Sequence, residues 1–390
     1  MPGGSTRSVL DVRPFPFRIT RAHGCRIVDV DDHEYVDFLG DYSAGMFGHD
    51  PSPIAAAVNA ALGRGWSYGG QHSDEVRFAE AVCTRFAGIE QVRFTNSGTE
   101  ANLLALQLAR HHTGRDRIVV ADGAYHGSLL SFGGHEAMIA PFACDRITYN
   151  DSGSLDVIDQ GTAAVLLEPM MGAAGCIPAE PGFLRAVRAA CDRTGALLVL
   201  DEVMTSRMSI GGAQQRFAVE ADLTTLGKYI AGGMSVGAFG GRADVMAAFD
   251  PAQGGALSHG GTFNNNVVTM AAGVAAAEVL TASVLDDLYQ RGESLRARTD
   301  AVLAASGRPM CVTGMGSLMS FHGVAGPVTA PYPPPREPLV ELLWHEFLAR
   351  GIYIAPRGYV ALSIAIGDDE CDAFVDTLGV AMDAFGPPAH

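Results

Sequence analysis

The chain has 390 residues, 48% of them hydrophobic, and its 43 acidic and 27 basic residues give a net charge of −16 at pH 7. This composition excludes a disordered chain, and the negative charge excludes a global attraction to nucleic acids or anionic membranes. The seven cysteines are widely spaced without a CxxC pair, which argues against a disulfide framework or a zinc site and favours the cytoplasm. No apolar stretch reaches the roughly 20 residues of a membrane span. We therefore expect a cytoplasmic protein without a metal, nucleic-acid or membrane partner.

The first 90 residues predict a hairpin and two helices. Two short alternating runs, 25–30 and 35–39, flank a polar turn, which is the pattern of a β-hairpin. An alanine-rich stretch over 53–62, and apolar residues at helical spacing over 74–86, predict two surface helices.

An alternation of strands and helices follows. The predicted strands are 92–96, 117–122, 163–169 and 196–203, and the predicted helices are 99–112 and 182–194. Apolar strands that alternate with helices indicate a mostly parallel sheet covered on both faces. This part of the chain is therefore predicted to be an α/β domain.

The C-terminal part predicts a second, smaller domain of helices and short strands. The predicted helices are 267–280, 284–305, 339–350 and 368–384, the strand-like runs lie near 311–321, 352–356 and 359–365, and a proline-rich loop covers 327–338.

A candidate phosphate site lies where the predicted strand 92–96 gives way to a helix. Ser97, Gly98 and Thr99 stand at this junction. The glycine allows close approach of the backbone, the hydroxyls can donate hydrogen bonds, and a helix N-terminus favours an anion. A plain helix cap with a glycine turn has the same appearance, so this motif needs support from other residues.

Two further residues provide that support. Asp201 ends an apolar strand, at the edge where open α/β sheets place ligand-binding groups, and a carboxylate there needs a cationic partner unless it caps the next turn. Lys228 is the only lysine of the chain, because the other basic residues are all arginines. Because arginine is used at every other basic position, a single lysine in a glycine-rich loop indicates that its amine, and not only its charge, is needed, as in Schiff-base chemistry.

Pyridoxal phosphate requires a lysine amine for its aldehyde, a carboxylate for its ring nitrogen and a phosphate cradle. The chain supplies all three, in the order cradle, Asp201, Lys228. The sequence therefore predicts a pyridoxal-phosphate site.

At this point the chain resembles a known family, the class III aminotransferases, in the branch that also contains the glutamate-1-semialdehyde aminomutases. The resemblance covers nearly the whole chain and rests on FTNSGTEAN, GAYHG, LLEPMMG, LLVLDEVMTSR, TTLGKYIAGGMSVGAFGG and HGGTFNNN. It implies the α/β fold type I of pyridoxal-phosphate transferases, similar to aspartate aminotransferase. A large domain at 45–285 would hold a mostly parallel seven-stranded sheet. Residues 1–44 and 286–390 would form a smaller α+β domain.

The resemblance also implies roles for individual residues. In this family the cofactor is surrounded by the phosphate cradle, by a tyrosine stacked on the pyridine ring, and by a carboxylate and a valine at the end of a strand. The residues that match are Ser97, Gly98, Thr99, Tyr125, His126, Glu168, Asp201, Val203 and Lys228. Thr262 would reach the phosphate of the neighbouring subunit, which implies a homodimer with shared active sites. Taken singly, Tyr125, Glu168 and Thr262 would each be interpreted as an ordinary core, strand-end or capping residue, and it is their order and context in one chain that favours the cofactor site.

Within this branch the segments TRSVL, GDYSAGMFGHD, GTFNNN and APRGYVALS resemble the β-amino-acid aminotransferases that act on β-phenylalanine. The resemblance suggests that Arg7 binds the carboxylate of the β-amino acid and that Arg357 binds the α-carboxylate of a keto acid such as 2-oxoglutarate. A guanidinium fork matches a carboxylate bidentately. Arg207 is a third candidate, and Trp66, Tyr68, Met46, Phe47 and Met204 are candidates for an apolar substrate pocket.

The expected activity is a ping-pong transamination by a pyridoxal-phosphate-dependent enzyme. Three alternatives stay open. An aminomutase would move the amino group within one molecule and need no keto acid, a racemase is a more remote option, and a cofactor-binding protein without catalysis would serve as a regulator or scaffold.

Overall fold

The computed structural model describes residues 1–12, 16–253, 256–332 and 338–385. Ten α-helices lie in these ranges. They are α1 Ser52–Arg64, α2 Ser73–Arg85, α3 Gly98–Thr113, α4 Pro181–Thr194, α5 Gly212–Phe217, α6 Ala243–Met246, α7 Val267–Val279, α8 Ala282–Ser306, α9 Pro338–Ala349 and α10 Asp368–Ala384.

Sixteen strands are distributed over four sheets in the same ranges. They are β1 Ile19–His23, β2 Arg26–Asp29, β3 Glu34–Asp37, β4 Gln91–Thr95, β5 Arg117–Ala121, β6 Ala143–Ile147, β7 Thr162–Leu167, β8 Met170–Met171, β9 Ile177–Pro178, β10 Leu197–Asp201, β11 Leu223–Gly227, β12 Gly237–Gly241, β13 Cys311–Met315, β14 Leu318–His322, β15 Ile352–Tyr353 and β16 Tyr359–Ala361.

The central sheet has seven strands in the order β4-β12-β11-β10-β7-β5-β6. All pairs are parallel except the two made by β12, which runs antiparallel to β11 and β4. Every residue of β7, β10 and β11 is buried. The mostly parallel seven-stranded sheet predicted from the resemblance is confirmed, and the side chains on both of its faces are covered, as such sheets require.

Helices pack on this sheet, and their ends follow the local sequence. Ser97 caps the N-terminus of α3 with its side chain, and α4 begins with Pro181, whose missing N–H costs nothing at that position. Gly114 and Gly195 end the two helices in the left-handed conformation. The strands β5, β7 and β10 with α3 and α4 form one hydrophobic core.

The chain termini meet in a four-stranded sheet of order β1-β2-β3-β15, in which β15 pairs parallel with β3. A three-stranded antiparallel sheet, β13-β14-β16, lies next along the C-terminal part. These sheets bring the N-terminal residues and the segment around β16 to one region of the molecule, although about 300 residues separate them in sequence.

The predicted helices and most of the predicted strands are present, with differences at particular elements. The hairpin appears as β2 and β3, and the closing helix has the predicted bounds 368–384. The strands expected over 352–356 and 359–365 are shorter, being limited to β15 and β16. Six strands were not predicted, namely β1, β6, β8, β9, β11 and β12. Part of the predicted proline-rich loop, 333–337, lies outside the described residues.

The division into a large domain at 45–285 and a smaller remainder stays a prediction, and its boundary falls within the first turn of α8. In the described ranges, no single helix is long and apolar enough to cross a membrane. Only α7 and α8 taken together pass on length and composition, and they are bent by 75° relative to each other.

Candidate active site

The predicted phosphate cradle is built at the start of α3. Ser97 accepts a hydrogen bond from the backbone N–H of Glu100 at 3.2 Å, which leaves its hydroxyl hydrogen available to a phosphate oxygen. A Cβ on Gly98 would lie 2.9 Å from Cγ2 of Val203, and a Cβ on Gly127 would lie 2.0 Å from Oγ1 of Thr99. Only glycine fits at these two positions, so the backbone, Thr99 and Val203 are packed closely around the helix start.

Asp201 is the last residue of β10 and is 6% exposed. Its Oδ2 lies 2.8 Å from Nδ1 of His126 and accepts from Nδ2 of Asn102 at 2.8 Å, and its Oδ1 accepts from the backbone N–H of Val203 at 3.0 Å. Burial alone would raise the pKa of Asp201, but the contacts with His126 outweigh it and hold this pKa below its usual value. The carboxylate is therefore ionised and able to stabilise a cation.

Two residues that the sequence analysis missed extend this network. Asn102 is 1% exposed on α3, and its Oδ1 accepts from the Thr225 hydroxyl at 2.7 Å, while its Nδ2 also donates to the carbonyl of His126. A buried asparagine one turn after the cradle, in a helix otherwise apolar on that face, is the signal that could have identified it. Asn102 and Thr225 fix the orientation of Asp201.

Lys228 directly follows β11, the strand paired with β10. Its backbone φ is +55°, in the left-handed region that residues with a side chain adopt only occasionally. Burial lowers the pKa of the Lys228 amine, and the negative charges of Asp201 and Glu168 partly offset this effect. An amine with a lowered pKa is more readily neutral, and a neutral amine is the nucleophilic form.

Glu168 lies behind the loop that carries Tyr125. Its Oε1 accepts from the backbone N–H of Tyr125 at 3.1 Å, and its Oε2 accepts from the backbone N–H of Gly172 at 2.9 Å. Burial raises the pKa of Glu168 to about 7. Glu168 therefore fixes two loops of the site, and Tyr125 remains 43% exposed, with its ring free to contact a ligand.

Val203 and Met204 follow Asp201 and are both half-buried. Val203 packs against Gly98, and a Cβ on Gly172 would lie 2.2 Å from Sδ of Met204. Both residues predicted to face the cofactor or substrate are thus close to the loops of the site.

Arg7 and Arg357 are brought together by one tyrosine. The Arg7 guanidinium lies 5.3 Å, and the Arg357 guanidinium 5.6 Å, from the centre of the Tyr42 ring. Arg7 forms an ion pair with Asp41, with 2.5 Å between Nη1 and Oδ1, and Arg357 donates to the carbonyl of Ala173 at 2.5 Å. Asp41 and Tyr42 are functional candidates that the sequence analysis did not single out.

A cavity of about 1000 Å³ opens beside Tyr125 and Arg357. Its walls also include Phe132, Tyr332 and Trp344, so the space next to Arg357 is partly aromatic. The cavity offers room for a substrate with an apolar side chain.

Three other residues predicted to contact the substrate are buried in the interior of the protein. Arg207 is 1% exposed and donates to the carbonyls of Ser43 and Leu362, so its buried guanidinium is used by the fold, and the suggestion that it binds substrate is wrong. Met46 and Phe47 are buried in a hydrophobic core, which contradicts their assignment to the pocket.

Thr262, Trp66 and Tyr68 are exposed, away from the cavity walls described above. The loop of Thr262 lies next to the cradle, because Nδ2 of Asn96 donates to Oδ1 of Asn264 at 2.9 Å.

The residues present fit pyridoxal phosphate. The glycine-lined start of α3 leaves backbone and hydroxyl donors for a phosphate, and Asp201 is held ionised for a protonated ring nitrogen. The buried Nε2 of His126 has no hydrogen-bond partner among the residues that the structure describes. Ser97, Gly98, Thr99, Tyr125, Asp201, Val203 and Lys228 would hold the cofactor.

Comparison with known proteins supports the same conclusion. The model of the class-III aminotransferase family matches residues 9–138 and 143–382. The chain is 47% identical to the β-phenylalanine transaminase of Variovorax paradoxus, over 99% of this chain and 91% of that protein. The crystal structure of the β-phenylalanine aminotransferase from that organism superimposes with a TM-score of 0.97, covering 100% of this chain and 93% of the other.

Two further relatives bear on the activity and the cofactor. A glutamate-1-semialdehyde 2,1-aminomutase from Sorangium cellulosum is 37% identical over 95% of this chain and 90% of its own length. A solved transaminase with pyridoxal phosphate bound is 34% identical, with a TM-score of 0.90 and coverage of 98% of this chain and 94% of that one. The chain therefore belongs to the class-III aminotransferase family, and it is a fold type I, pyridoxal-phosphate-dependent transaminase.

Proposed function

We propose that this enzyme transfers the amino group of an aromatic β-amino acid, such as β-phenylalanine, to a keto acid such as 2-oxoglutarate. The observation that carries the proposal is the pair Arg7 and Arg357, which both lie against the ring of Tyr42, with Arg357 also lining the partly aromatic cavity. Two guanidinium groups match the needs of an enzyme that binds two different carboxylic acids in turn. The 47% identity to the Variovorax paradoxus enzyme supports the same substrate class.

The cofactor-binding roles are part of this proposal. Ser97, Gly98 and Thr99 bind the phosphate, Tyr125 and Val203 cover the two faces of the ring, and Asp201 keeps the ring nitrogen protonated through its ionised carboxylate. His126 and Glu168 act through their contacts with Asp201 and with the backbone of Tyr125. When bound, pyridoxal phosphate supplies an electron sink that stabilises negative charge on the substrate carbon.

Lys228 attaches the cofactor and moves the proton. Its amine, with the pKa lowered by burial, accepts the proton from the amine-bearing carbon of the substrate and delivers it to C4′ of the cofactor, which is general acid–base catalysis by one positioned group. The cycle is ping-pong, because amino donor and keto acid use the same site in succession.

Substrate carboxylates are divided between the two arginines. Arg7 binds the carboxylate of the β-amino acid, and Arg357 binds the α-carboxylate of the keto acid. Met204, next to Gly172, lies against the substrate.

The working unit in this proposal is a cytoplasmic homodimer with shared active sites, to which Thr262 contributes across the interface. The exposed aromatic residues Trp66, Tyr68 and Phe263 favour a buried interface on this side of the molecule. Six cysteines form no disulfide among the described residues, which fits a reducing compartment, namely Cys25, Cys83, Cys144, Cys176, Cys191 and Cys371.

The test compares two reactions catalysed by the cofactor-loaded enzyme. With β-phenylalanine and 2-oxoglutarate, we expect glutamate and 3-oxo-3-phenylpropanoate in equal amounts. Without 2-oxoglutarate, we expect the reaction to stop after one half-reaction per active site. Conversion of glutamate 1-semialdehyde without any keto acid, together with no glutamate formation from β-phenylalanine, would contradict the proposal in favour of an aminomutase.

A further inference from the structure

Arg7, which is proposed to bind the substrate carboxylate, already forms an ion pair with a carboxylate of the protein. Its Nη1 lies 2.5 Å from Oδ1 of Asp41, and the two side chains are 46% and 58% exposed. Resting on the proposed function, we propose that Asp41 is an internal counter-ion, which holds Arg7 in the free site and is displaced by the carboxylate of the amino donor. Asp41 then sets the affinity of the enzyme for that carboxylate.

The backbone presents Asp41 to Arg7 in an unusual way. Asp41, Tyr42 and Ser43 have φ values of +43°, +54° and +77°, so three consecutive residues with side chains are left-handed. Such a turn persists only where its surroundings fix it. Here the Tyr42 ring stacks on Tyr359, with 5.8 Å between ring centres, and the carbonyl of Ser43 accepts from Arg207 at 3.4 Å. The contacts with Tyr359 and Arg207 therefore fix the turn, and the Asp41 side chain is exposed.

Tyr42 supplies the support that remains when Asp41 is displaced. The Arg7 guanidinium lies 5.3 Å from the centre of the Tyr42 ring, and this cation–π contact is separate from the ion pair that Nη1 of Arg7 makes with Asp41. An incoming carboxylate can therefore exchange with Asp41 while Arg7 keeps its place.

The pair also lies within electrostatic reach of the reacting amine. The negative charge of Asp41 raises the pKa of Lys228, and the positive charge of Arg7 lowers it.

The strength of the ion pair suits a displaceable partner. An exposed arginine–carboxylate pair contributes up to about fivefold in an equilibrium constant, which is little compared with a bidentate pair shielded by a bound substrate. Arg357 differs, because its contacts are the carbonyl of Ala173 and the rings of Tyr42 and Tyr359, and no ion pair of it occurs in the described ranges. A carboxylate that binds at Arg7 therefore has to compete with an acidic side chain, and one that binds at Arg357 does not.

The test replaces Asp41 by asparagine, which has the same size, lacks the charge and tolerates a left-handed backbone. The two half-reactions of the holoenzyme are followed by cofactor absorbance under single-turnover conditions. For Asp41→Asn we expect the apparent dissociation constant of β-phenylalanine to fall about two- to fivefold, and that of pyruvate, whose single carboxylate is the one assigned to Arg357, to stay unchanged. Asp41→Glu restores the counter-ion and the wild-type constants.

The matched control is Asp32→Asn. Asp32 is also exposed and left-handed, with φ of +64°. Its Oδ1 lies 2.9 Å from Nη1 of Arg21, and this ion pair involves none of the residues of the site. This variant keeps wild-type constants. An unchanged or higher dissociation constant for β-phenylalanine in Asp41→Asn would overturn the inference, because Asp41 would then orient Arg7 for substrate without competing for it.

A second measurement separates this inference from the proposed function. 3-Phenylpropanoate carries the carboxylate and the aromatic ring but no amine, so it binds without reacting. Tighter binding of 3-phenylpropanoate by Asp41→Asn, with unchanged binding of the neutral 3-phenylpropanamide, supports the inference even if β-phenylalanine proves not to be a substrate. Equal binding of 3-phenylpropanoate by both proteins, or no binding by either, contradicts it.

Discussion

At the scale of single residues, the chemistry concentrates on Lys228. It is the only lysine in the chain, its amine has a pKa lowered by burial, and its backbone is left-handed at the end of β11. The sequence predicted this residue from its rarity. It could not predict the backbone conformation, which depends on the strands on either side.

Lys228→Ala removes the only side-chain amine that can bind the cofactor covalently. After reduction of the holoenzyme with borohydride, the intact mass of the wild type should include one cofactor per chain, and that of Lys228→Ala none. Lys228→Arg, which retains the charge without the reactive amine, should behave like the alanine variant. A variant still modified, or turning over at near the wild-type rate, would refute the assignment.

Glu168 gives a residue-scale prediction about pH. Because burial raises its pKa from 4.5 to about 7, the folded protein binds a proton in this range that the unfolded chain has lost. Stability therefore falls as the pH rises from about 4.5 to 7, by about 3 kcal/mol from this group.

Urea unfolding of the cofactor-free protein between pH 5 and pH 7.5 measures this effect. In Glu168→Gln, the free energy of unfolding should decrease less with rising pH than in the wild type. Any loss of stability from weaker contacts with the N–H groups of Tyr125 and Gly172 is independent of pH and does not change this slope. The comparison uses slopes, so other titrating carboxyls cancel. Equal slopes in the two proteins would show that Glu168 is ionised in the fold.

At the scale of elements, strand and helix periodicity predicted the α/β alternation, but β12 was missed. Its sequence, Gly-Ala-Phe-Gly-Gly, lacks the β-branched residues that mark a strand. The structure gives the reason. A Cβ on Gly237 would lie 2.0 Å from the carbonyl oxygen of Ser97, and a Cβ on Gly241 would lie 2.1 Å from that of Asp222, so close backbone approach selects glycine against strand propensity.

Gly237→Ala should therefore disturb both the sheet and the cradle. We expect a loss of about 1–3 kcal/mol in unfolding free energy and weaker binding of pyridoxal phosphate, because the new methyl group pushes against Ser97. Thermal unfolding and a cofactor titration measure the two effects.

Gly182→Ala is the matched control, since nothing lies within 4 Å of a Cβ there and alanine favours the helix α4. This variant should be as stable as the wild type or slightly more stable. Equal melting temperatures and cofactor affinities for Gly237→Ala and the wild type would contradict the packing argument.

At the scale of the whole molecule, the fold unites residues from both ends of the chain. The parallel pair β3–β15 brings the turn of Asp41 and Tyr42 next to Arg357 and Tyr359. Local sequence patterns contain no information about this contact, which explains why Tyr42 was overlooked while both arginines were found by family resemblance.

The proposed shared active sites can be tested by complementation. Co-expression of Lys228→Ala chains with Thr262→Asp chains should produce mixed dimers with one intact site, and about a quarter of the wild-type activity per chain at equal amounts. Lys228→Ala with Asp201→Asn should recover nothing, because both residues serve the same subunit's site. No recovery in the first pair would place Thr262 in its own subunit's site.

The central claim, that this transaminase accepts β-amino acids, is tested most directly by an absorbance titration of the cofactor-loaded protein. Each enantiomer of β-phenylalanine is added separately, with α-phenylalanine and an ω-amine that lacks a carboxylate as controls. We predict that one β-enantiomer converts the cofactor band, that 2-oxoglutarate restores it, and that both controls react far more slowly. No change with either β-enantiomer, alongside conversion by another amine, would contradict the proposed substrate class while leaving the cofactor site intact.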